Sequence, residues 1–401
     1  MTPFLQFLIA IVVIISAAKI GGWISLRLGQ PSVLGELLAG MLLGPSVLNF
    51  LEWSQFTDKH LGESIAHLAE LGVLMLMFIA GLELHLSDLA KSSKVSAFAG
   101  SLGVFVPLGM GWAAASLFGF DTQTSIFTGL VLAATSVSIS AQTLMEMRVL
   151  RSRVGISMLG AAVFDDILVV LGFSIFVALS LGTGSGVAAI AWIIAKMLIY
   201  LLVAGVLGLF LIPRLSEIVD RLPISQGLIA FTFVTAIFYA WSSEALGGMA
   251  AITGAFLAGL LFARSALKER IEFGIAPLAY GVFVPIFFVN VGLTANLREL
   301  TVDSAWLLAV LALVAIVSKL LGGGVGARLA GLTNRESIQL GAGMMSRGEV
   351  GLIIVTIGIT EGLIGSEIFS IIVGVVIVTT IITPSVLRGL FARELAAQTS
   401  N

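Results

Sequence analysis

The sequence predicts an all-α integral membrane protein with about thirteen transmembrane helices, and three observations carry that reading. Of its 401 residues 58% are hydrophobic and only 11% charged, where a soluble domain carries about 25% charged residues. Apolar runs of about 20 residues, the length that crosses a hydrocarbon core, recur from one end to the other. Lys and Arg gather in alternate connecting segments, as the positive-inside rule requires of a multi-pass chain.

The same composition excludes other classes. A net charge of −2 with no block of like charge gives no sign of a nucleic-acid partner, and no segment reads as a soluble nucleotide-binding domain. With no cysteine there are no disulfides, thiolate metal sites or Cys nucleophiles. The three His residues form no His-Glu-x-x-His zinc motif. An intramembrane aspartyl protease needs two carboxylates facing each other across helices, and no Gly-x-Gly-Asp segment exists. The chain does not read as an enzyme, and no cofactor is expected.

Taken in order, the expected spans lie near 4–26, 31–50, 65–84, 95–117, 123–145, 154–181, 188–212, 226–243, 247–264, 272–293, 304–328, 336–360 and 366–390. The chain opens with an apolar run from Met1 to Ala18 whose closing Ser16-Ala17-Ala18 faintly resembles a cleavage site. It lacks the basic n-region of a signal peptide and reads as a retained helix. One set of loops, with the C-terminal tail, holds Arg27, Lys91, Lys94, Arg148, Arg151, Arg153, Arg214, Arg221, Arg264, Lys268, Arg270, Arg328, Arg335, Arg388 and Arg393. The opposite set holds only Lys59 and Arg298. This places the N-terminus outside and the C-terminus in the cytoplasm and requires an odd number of spans. Lys19, Lys196, Lys319 and Arg347 remain inside spans.

The halves repeat. Gly35-Glu36-Leu37-Leu38-Ala39-Gly40-Met41-Leu42-Leu43-Gly44 in span 2 matches Gly254-Ala255-Phe256-Leu257-Ala258-Gly259-Leu260-Leu261-Phe262-Ala263 in span 9. Gly81-Leu82-Glu83-Leu84-His85-Leu86 after span 3 matches Gly292-Leu293-Thr294-Ala295-Asn296-Leu297 after span 10. Residues 1–181 then form one six-helix repeat and 226–401 the second. Span 7 and a cytoplasmic loop, 182–225, connect them. Because seven spans separate the copies, the second enters from the opposite side, an inverted repeat. In such folds one helix of each half is broken near the midplane. The candidates are span 5, with Ala134-Thr135-Ser136-Val137-Ser138-Ile139-Ser140, and span 12, with Gly341-Ala342-Gly343-Met344-Met345-Ser346-Arg347-Gly348-Glu349. Their unwound segments are expected to cross.

The chemistry centres on Phe164-Asp165-Asp166 in span 6. Ionised groups at membrane depth cost ~2.5–3.5 kcal/mol each on insertion scales, so an adjacent acidic pair reads as functional. Asp165 follows Arg153 by twelve residues, roughly 18 Å of helix, and Lys319 precedes Arg328 by nine, about 14 Å. The two depths allow contact. Consecutive helical residues diverge by ~100°, so one acid can pair with Lys319 while the other faces the cavity; helix geometry leaves open which. A carboxylate among hydroxyls and carbonyls suits a hard monovalent cation, and a proton would compete for it. The plainer alternatives are a structural ion pair and a Lys319 that snorkels to the surface. Thr135, Ser136 and Ser138 are candidate ligands, although such hydroxyls also bond back to their own helix. Arg347 and Glu349 are expected to pair with each other or with the broken-helix backbone. Glu36 reads as interfacial or packed. Glu83, with His85 and Asp88, either lines a cytoplasmic funnel or is a solvated helix end. Lys196 reads as snorkelling, and Glu63, His67 and Glu70 mark an outer mouth without metal-site spacing.

These residues resemble a known family, the bacterial monovalent cation:proton antiporters of the second cation:proton antiporter family. The likeness runs through Pro31-Ser32-Val33-Leu34-Gly35-Glu36-Leu37, Gly81-Leu82-Glu83-Leu84, Ala134-Thr135-Ser136, Phe164-Asp165-Asp166, Phe287-Phe288-Val289-Asn290-Val291-Gly292 and Ser346-Arg347-Gly348-Glu349-Val350-Gly351. The resemblance implies a homodimer in a bacterial inner membrane, whose core of spans 4–6 and 11–13 slides against a dimerising scaffold in an elevator movement. It implies that Asp166 is the ion and proton site and that Asp165 is the partner of Lys319. It also implies electrogenic exchange of two protons for one Na⁺. Potassium-efflux relatives commonly carry Gln-Asp at the pair and a cytoplasmic nucleotide-binding domain, neither of which is present, so Na⁺ or Li⁺ is favoured over K⁺. A K⁺/H⁺ antiporter, and a channel or sensor on the same fold, are the alternatives.

Overall fold

The computed structural model describes residues 1–28, 30–84, 91–180, 187–293, 302–360, 362–392 and 394. His85, Asp88 and Arg298 lie outside the described residues, as do the side chains of Glu349 and of part of the helix that follows it. Every regular element among the described residues is helical, the form in which a segment in lipid satisfies its own backbone groups. Ten helices there are long and apolar enough to cross a membrane, and two shorter apolar ones lie between them.

Helix α1 is Pro3–Arg27; Thr2 caps it, Pro3 occupies its first turn and Arg27 its last, where a cation complements the dipole. Helix α2 is Ser32–Leu43, seven residues shorter than the expected span to 50. The helix stops because Gly44 turns to an extended conformation before Pro45, the conformation a residue preceding proline favours. Then come α3 (Leu61–Glu83), α4 (Ser93–Leu117), α5 (Thr122–Ala133), α6 (Val137–Glu146) and α7 (Arg153–Ser180).

Helix α8, Val187–Asp220, runs eight residues beyond the expected end at 212 and takes in Arg214. Hydropathy registers only the apolar length, whereas this helix carries on into a polar last turn where Asp220 pairs with Arg270. Helix α9 is Gly227–Ser242, and a π turn over Ser243–Gly247 extends it. Helix α10, Ala251–Phe262, therefore starts four residues later than expected, after Gly248 at φ 67°. Helix α11 (Lys268–Leu278), a π turn (Ala279–Phe283) and α12 (Val284–Leu293) form one continuous rod. It begins four residues before the expected 272, and Pro277 precedes its wide turn. Helices α13 (Val302–Leu329), α14 (Asn334–Gly343), α15 (Glu349–Thr360) and α16 (Ser366–Leu390) complete the chain.

Two groups of helices pack internally. In one, α4 lies along α13 and against α5 and α7, while α13 also packs on α14 and α16. In the other, α3 lies along α10, and α12 packs on α2 and α3. Small residues allow backbones in lipid to approach closely. Gly259 of α10 meets Gly81 of α3, where a Cβ would come within 3.0 Å of the Gly81 Cα, and Gly292 of α12 meets Gly40 of α2.

Candidate functional site: a buried acid pair beside two crossed half-helices

Both spans expected to break do so. Between α5 and α6 the residues Ala134 and Ser136 are extended, and between α14 and α15 the chain is non-helical from Met345 to Gly348. The two breaks cross and are stitched together. Ser136 N–H donates to the Ser346 carbonyl at 2.8 Å, and the Ser346 hydroxyl donates to the Ser136 carbonyl at 2.7 Å. Ser140 also donates its hydroxyl to the Gly343 carbonyl. These bonds satisfy carbonyls and amides that the unwound turns release, which bare lipid would leave orphaned. Gly348 is required at the crossing, because a Cβ there would sit 2.5 Å from the Ser136 hydroxyl oxygen.

Arg347, 1% exposed, folds back on the end of α14. Its Nη1 donates to the carbonyls of Met344 (3.1 Å), Met345 (2.9 Å) and Ser346 (3.4 Å), and its Nη2 to the Ala315 carbonyl of α13 (2.7 Å). A guanidinium with its rigid fork of donors is suited to this, and the C-terminal end of a helix favours a cation. Thr379 and Thr380 of α16 hold the Arg347 backbone, the first by accepting from its N–H (3.2 Å), the second by donating to its carbonyl (2.7 Å). Among the described residues the partners of the Arg347 guanidinium are these carbonyls; the expected contact with Glu349 lies outside the described residues.

Asp165 and Lys319 meet. Both side chains are 0% exposed, and Lys319 Nζ donates to Asp165 Oδ1 at 3.0 Å and Oδ2 at 2.8 Å. Lys319 therefore does not snorkel. The Thr135 hydroxyl donates to Asp165 Oδ2 as well, which ties the α5/α6 break directly to the pair. Asp166, also buried, points elsewhere. It lines a cavity of about 10 Å³, roomy enough for the centre of one water-sized sphere, together with Val137, Leu159, Ala162 and Val163 on its own side. The far wall is Met77 of α3 and Ile252, Thr253 and Phe256 of α10. The geometry thus assigns the Lys319 contact to Asp165, a question that helix periodicity left open. Ser136 and Ser138 share a hydroxyl contact at 3.1 Å beside the crossing.

The remaining candidates lie apart from the acid pair. Glu36 is buried in α2 with Lys19 at 3.9 Å, and Lys19 Nζ also donates to the Tyr280 carbonyl at 2.8 Å, in the π turn. Glu83, at the end of α3, is half-buried. Sequence reasoning missed the Thr253 wall, the Thr379 and Thr380 supports, and Glu146. The Glu146 carboxylate accepts from the Ser32 N–H (2.7 Å) and the Ser32 hydroxyl at the start of α2, and from Gln142 Nε2 (2.9 Å). No spacing rule reports any of these, since each depends on which helices become neighbours.

Comparison with known proteins matches this architecture. The model of the family described as sodium/hydrogen exchanger, transmembrane, matches residues 12–393. The chain is 40% identical over 385 residues to a probable Na⁺/H⁺ antiporter, GerT, of Bacillus cereus, covering 96% of this chain and 99% of that protein. It is 37% identical over 396 residues to the Na⁺/H⁺-K⁺ antiporter GerN of the same organism, covering 98% and 99%. With a Na⁺/H⁺ antiporter of Enterococcus hirae it shares 34% over 384 residues, covering 96% and 98%. Its fold is similar to that of the sodium proton antiporter MjNhaP1 of Methanocaldococcus jannaschii at pH 8, with a TM-score of 0.72, 16% identity and 99% of each chain covered. A multi-pass helical chain whose buried acid pair adjoins two crossed half-helices, matched end to end by these proteins, belongs to the sodium/hydrogen exchanger family.

Proposed function

We propose that the protein is a secondary active antiporter that exchanges Na⁺, or Li⁺, for H⁺ across the inner membrane of a bacterium. One observation carries the reading: the acid pair is divided, with Asp165 enclosed against Lys319 and Asp166 opening on the cavity between the two helix groups. Asp166 then takes either a cation or a proton, and competition for one carboxylate is what couples the two fluxes. The hydroxyls and carbonyls of Thr135 and Ser136 complete the cation's oxygen shell. When the cation draws on the pair, Asp165 loosens its hold on Lys319, which releases a second proton and makes exchange electrogenic. Arg347 and Glu349 hold the broken helix in shape, and Glu83 lines the cytoplasmic funnel. The likeness to the probable Na⁺/H⁺ antiporter of Bacillus cereus and the Na⁺/H⁺ antiporter of Enterococcus hirae supports Na⁺.

The packing of the helices supports a division into moving parts. The group built on α4, α5, α6, α7, α13, α14, α15 and α16 acts as the transport core, and the rest as a dimerising scaffold. The core travels as an elevator, and the paired glycines Gly40 with Gly292 and Gly81 with Gly259 support an inverted repeat of residues 1–181 and 226–401 around the connector. The N-terminus faces outward and the C-terminus the cytoplasm. An Asp166→Asn protein in proteoliposomes is expected to lose cation-driven proton movement; persistence of exchange would sink the assignment. Lys319→Gln should transport without responding to membrane voltage.

A K⁺-exchanging activity is the second reading, favoured by the Na⁺/H⁺-K⁺ relative at 37% identity. Proton flux driven by Na⁺, Li⁺ and K⁺ in turn separates the two. A channel on the same fold would show cation flux with no obligatory counter-flux.

A further inference from the structure

An exchanger must prevent its ion-free carrier from crossing, because a return without cation or proton turns exchange into a leak. On the reading of Asp166 above, the form to be held back is its bare carboxylate, and the far wall of its cavity has the chemistry to do so. Helix α10 begins there, at Ala251, behind Ala250, with no side-chain hydrogen bond capping it. The first turn of a helix has N–H groups without intrahelical partners and carries the positive end of the dipole. Depth agrees: Asp166 follows Arg153 by thirteen residues, ~20 Å of helix, and Thr253 precedes Arg264 by eleven, ~17 Å.

Thr253 supplies a second donor. It is 5% exposed and lines the cavity with Asp166; every other lining residue is apolar. Several other helical threonines turn their hydroxyls back on their own helix, whereas Thr135 and Thr380 reach other elements. Thr128, Thr143, Thr232, Thr235 and Thr383 each donate to the carbonyl four residues earlier, at 2.7 to 2.8 Å. Thr253 sits at the third helical position, where the carbonyl four residues back belongs to Met249, outside the helix. Its backbone N–H donates to the Ala250 carbonyl at 3.0 Å. Its side chain lines the cavity, and no hydrogen bond from its hydroxyl is seen among the described residues. The molecule already contains such a dock: α2, the other short apolar helix, has its first N–H and hydroxyl, at Ser32, bound by the carboxylate of Glu146 from α6.

We propose that the N-terminal turn of α10, with the Thr253 hydroxyl, is a docking site for the ion-free Asp166 carboxylate and that this contact holds the unloaded core against the scaffold. A bound cation or proton neutralises the carboxylate, removes its attraction to the helix end and frees the core.

The test compares coupled with uncoupled Na⁺ efflux from proteoliposomes, the latter measured without a counter-gradient and with a valinomycin-set potential. Thr253→Val keeps the branched shape and deletes the donor; the uncoupled share of efflux should rise several-fold while exchange continues. Thr253→Ser should restore the wild-type ratio. Ala250→Asp places a competing carboxylate at the N-cap, a position this residue type favours, and should raise the leak further. An unchanged ratio in both Thr253→Val and Ala250→Asp overturns the proposal. So does loss of all transport in Thr253→Val, which would make the hydroxyl a ligand of the loaded site. Asp166→Asn in parallel keeps the two readings distinct. If it still exchanges ions, the antiport assignment itself fails; if it is inactive while the Thr253 and Ala250 variants behave as wild type, only the dock fails.

Discussion

Two lysine–acid pairs lie within the apolar helices of this protein, and they differ in almost everything but chemistry. Lys319 holds both oxygens of Asp165 at 2.8 and 3.0 Å with neither side chain exposed. Lys19 stands 3.9 Å from Glu36, is itself 49% exposed, and gives its shorter bond to the Tyr280 carbonyl. The first pair is enclosed where α4 and α13 pack on each other, and the second sits at the rim of α1. A fully enclosed pair depends on both its members, because removing one strands a charge in low dielectric. A rim pair has a long stem that can carry the ammonium elsewhere. What separates the two pairs is enclosure, together with the cavity beside Asp165's neighbour Asp166.

The comparison can be broken most directly at Lys319. Lys319→Met should cost about 3–5 kcal/mol, the loss typical when one member of a buried pair is removed, read as a large drop in melting temperature in detergent. Adding Asp165→Asn to it should recover most of that loss. If the double variant is no more stable than the single one, the pair is not a closed electrostatic unit. Next in size is Gly348→Ala, whose Cβ would meet the Ser136 hydroxyl at 2.5 Å. Overpacking of this kind costs about 1–3 kcal/mol, and the exchange rate should fall because the crossing must widen.

At the rim, Lys19→Met should cost clearly less than Lys319→Met, because Lys19 is 49% exposed and stands 3.9 Å from Glu36, and it should leave the exchange rate within about a factor of five. A loss as large as that of Lys319→Met would erase the distinction between the pairs. The smallest effect belongs to a charge outside the membrane. Asp121 caps α5 by accepting from the N–H groups of Gln123 and Thr124 at 3.0 and 3.2 Å. Hydrogen bonds from Thr124 above all hold its carboxyl below the usual value. A carboxyl lowered in the folded state stabilises above its unfolded pKa of about 3.9 and loses that contribution as pH falls through the lower folded value. Asp121→Ala should thus cost about 1 kcal/mol at neutral pH, and the difference in melting temperature from wild type should close in acid.

Much of the site was legible because lipid makes polar residues conspicuous. Asp165, Asp166, Lys319 and Arg347 stand out against apolar surroundings, and the hydroxyl and glycine clusters at Ala134–Ser140 and Gly341–Gly348 mark both broken helices. The helix ends were less legible. Hydropathy stops counting where α8 leaves the apolar layer, although the helix itself continues to Asp220, and it does not separate the π turn after Ser242 from the start of α10. Glu146 and Thr253 left no trace in the sequence, since a glutamate near a cytoplasmic loop and a threonine in an apolar helix are both ordinary.

What the sequence determined by itself was the membrane architecture and the membership of the charged set, because transfer of each residue between water and lipid depends on its own chemistry. The tertiary structure decided which acid faces the lysine and which faces the cavity, that Arg347 caps the end of α14, and that α10 starts across from Asp166. Those outcomes depend on the rotation and depth at which separate helices pack, quantities set by glycine contacts and crossing geometry between segments far apart in the chain.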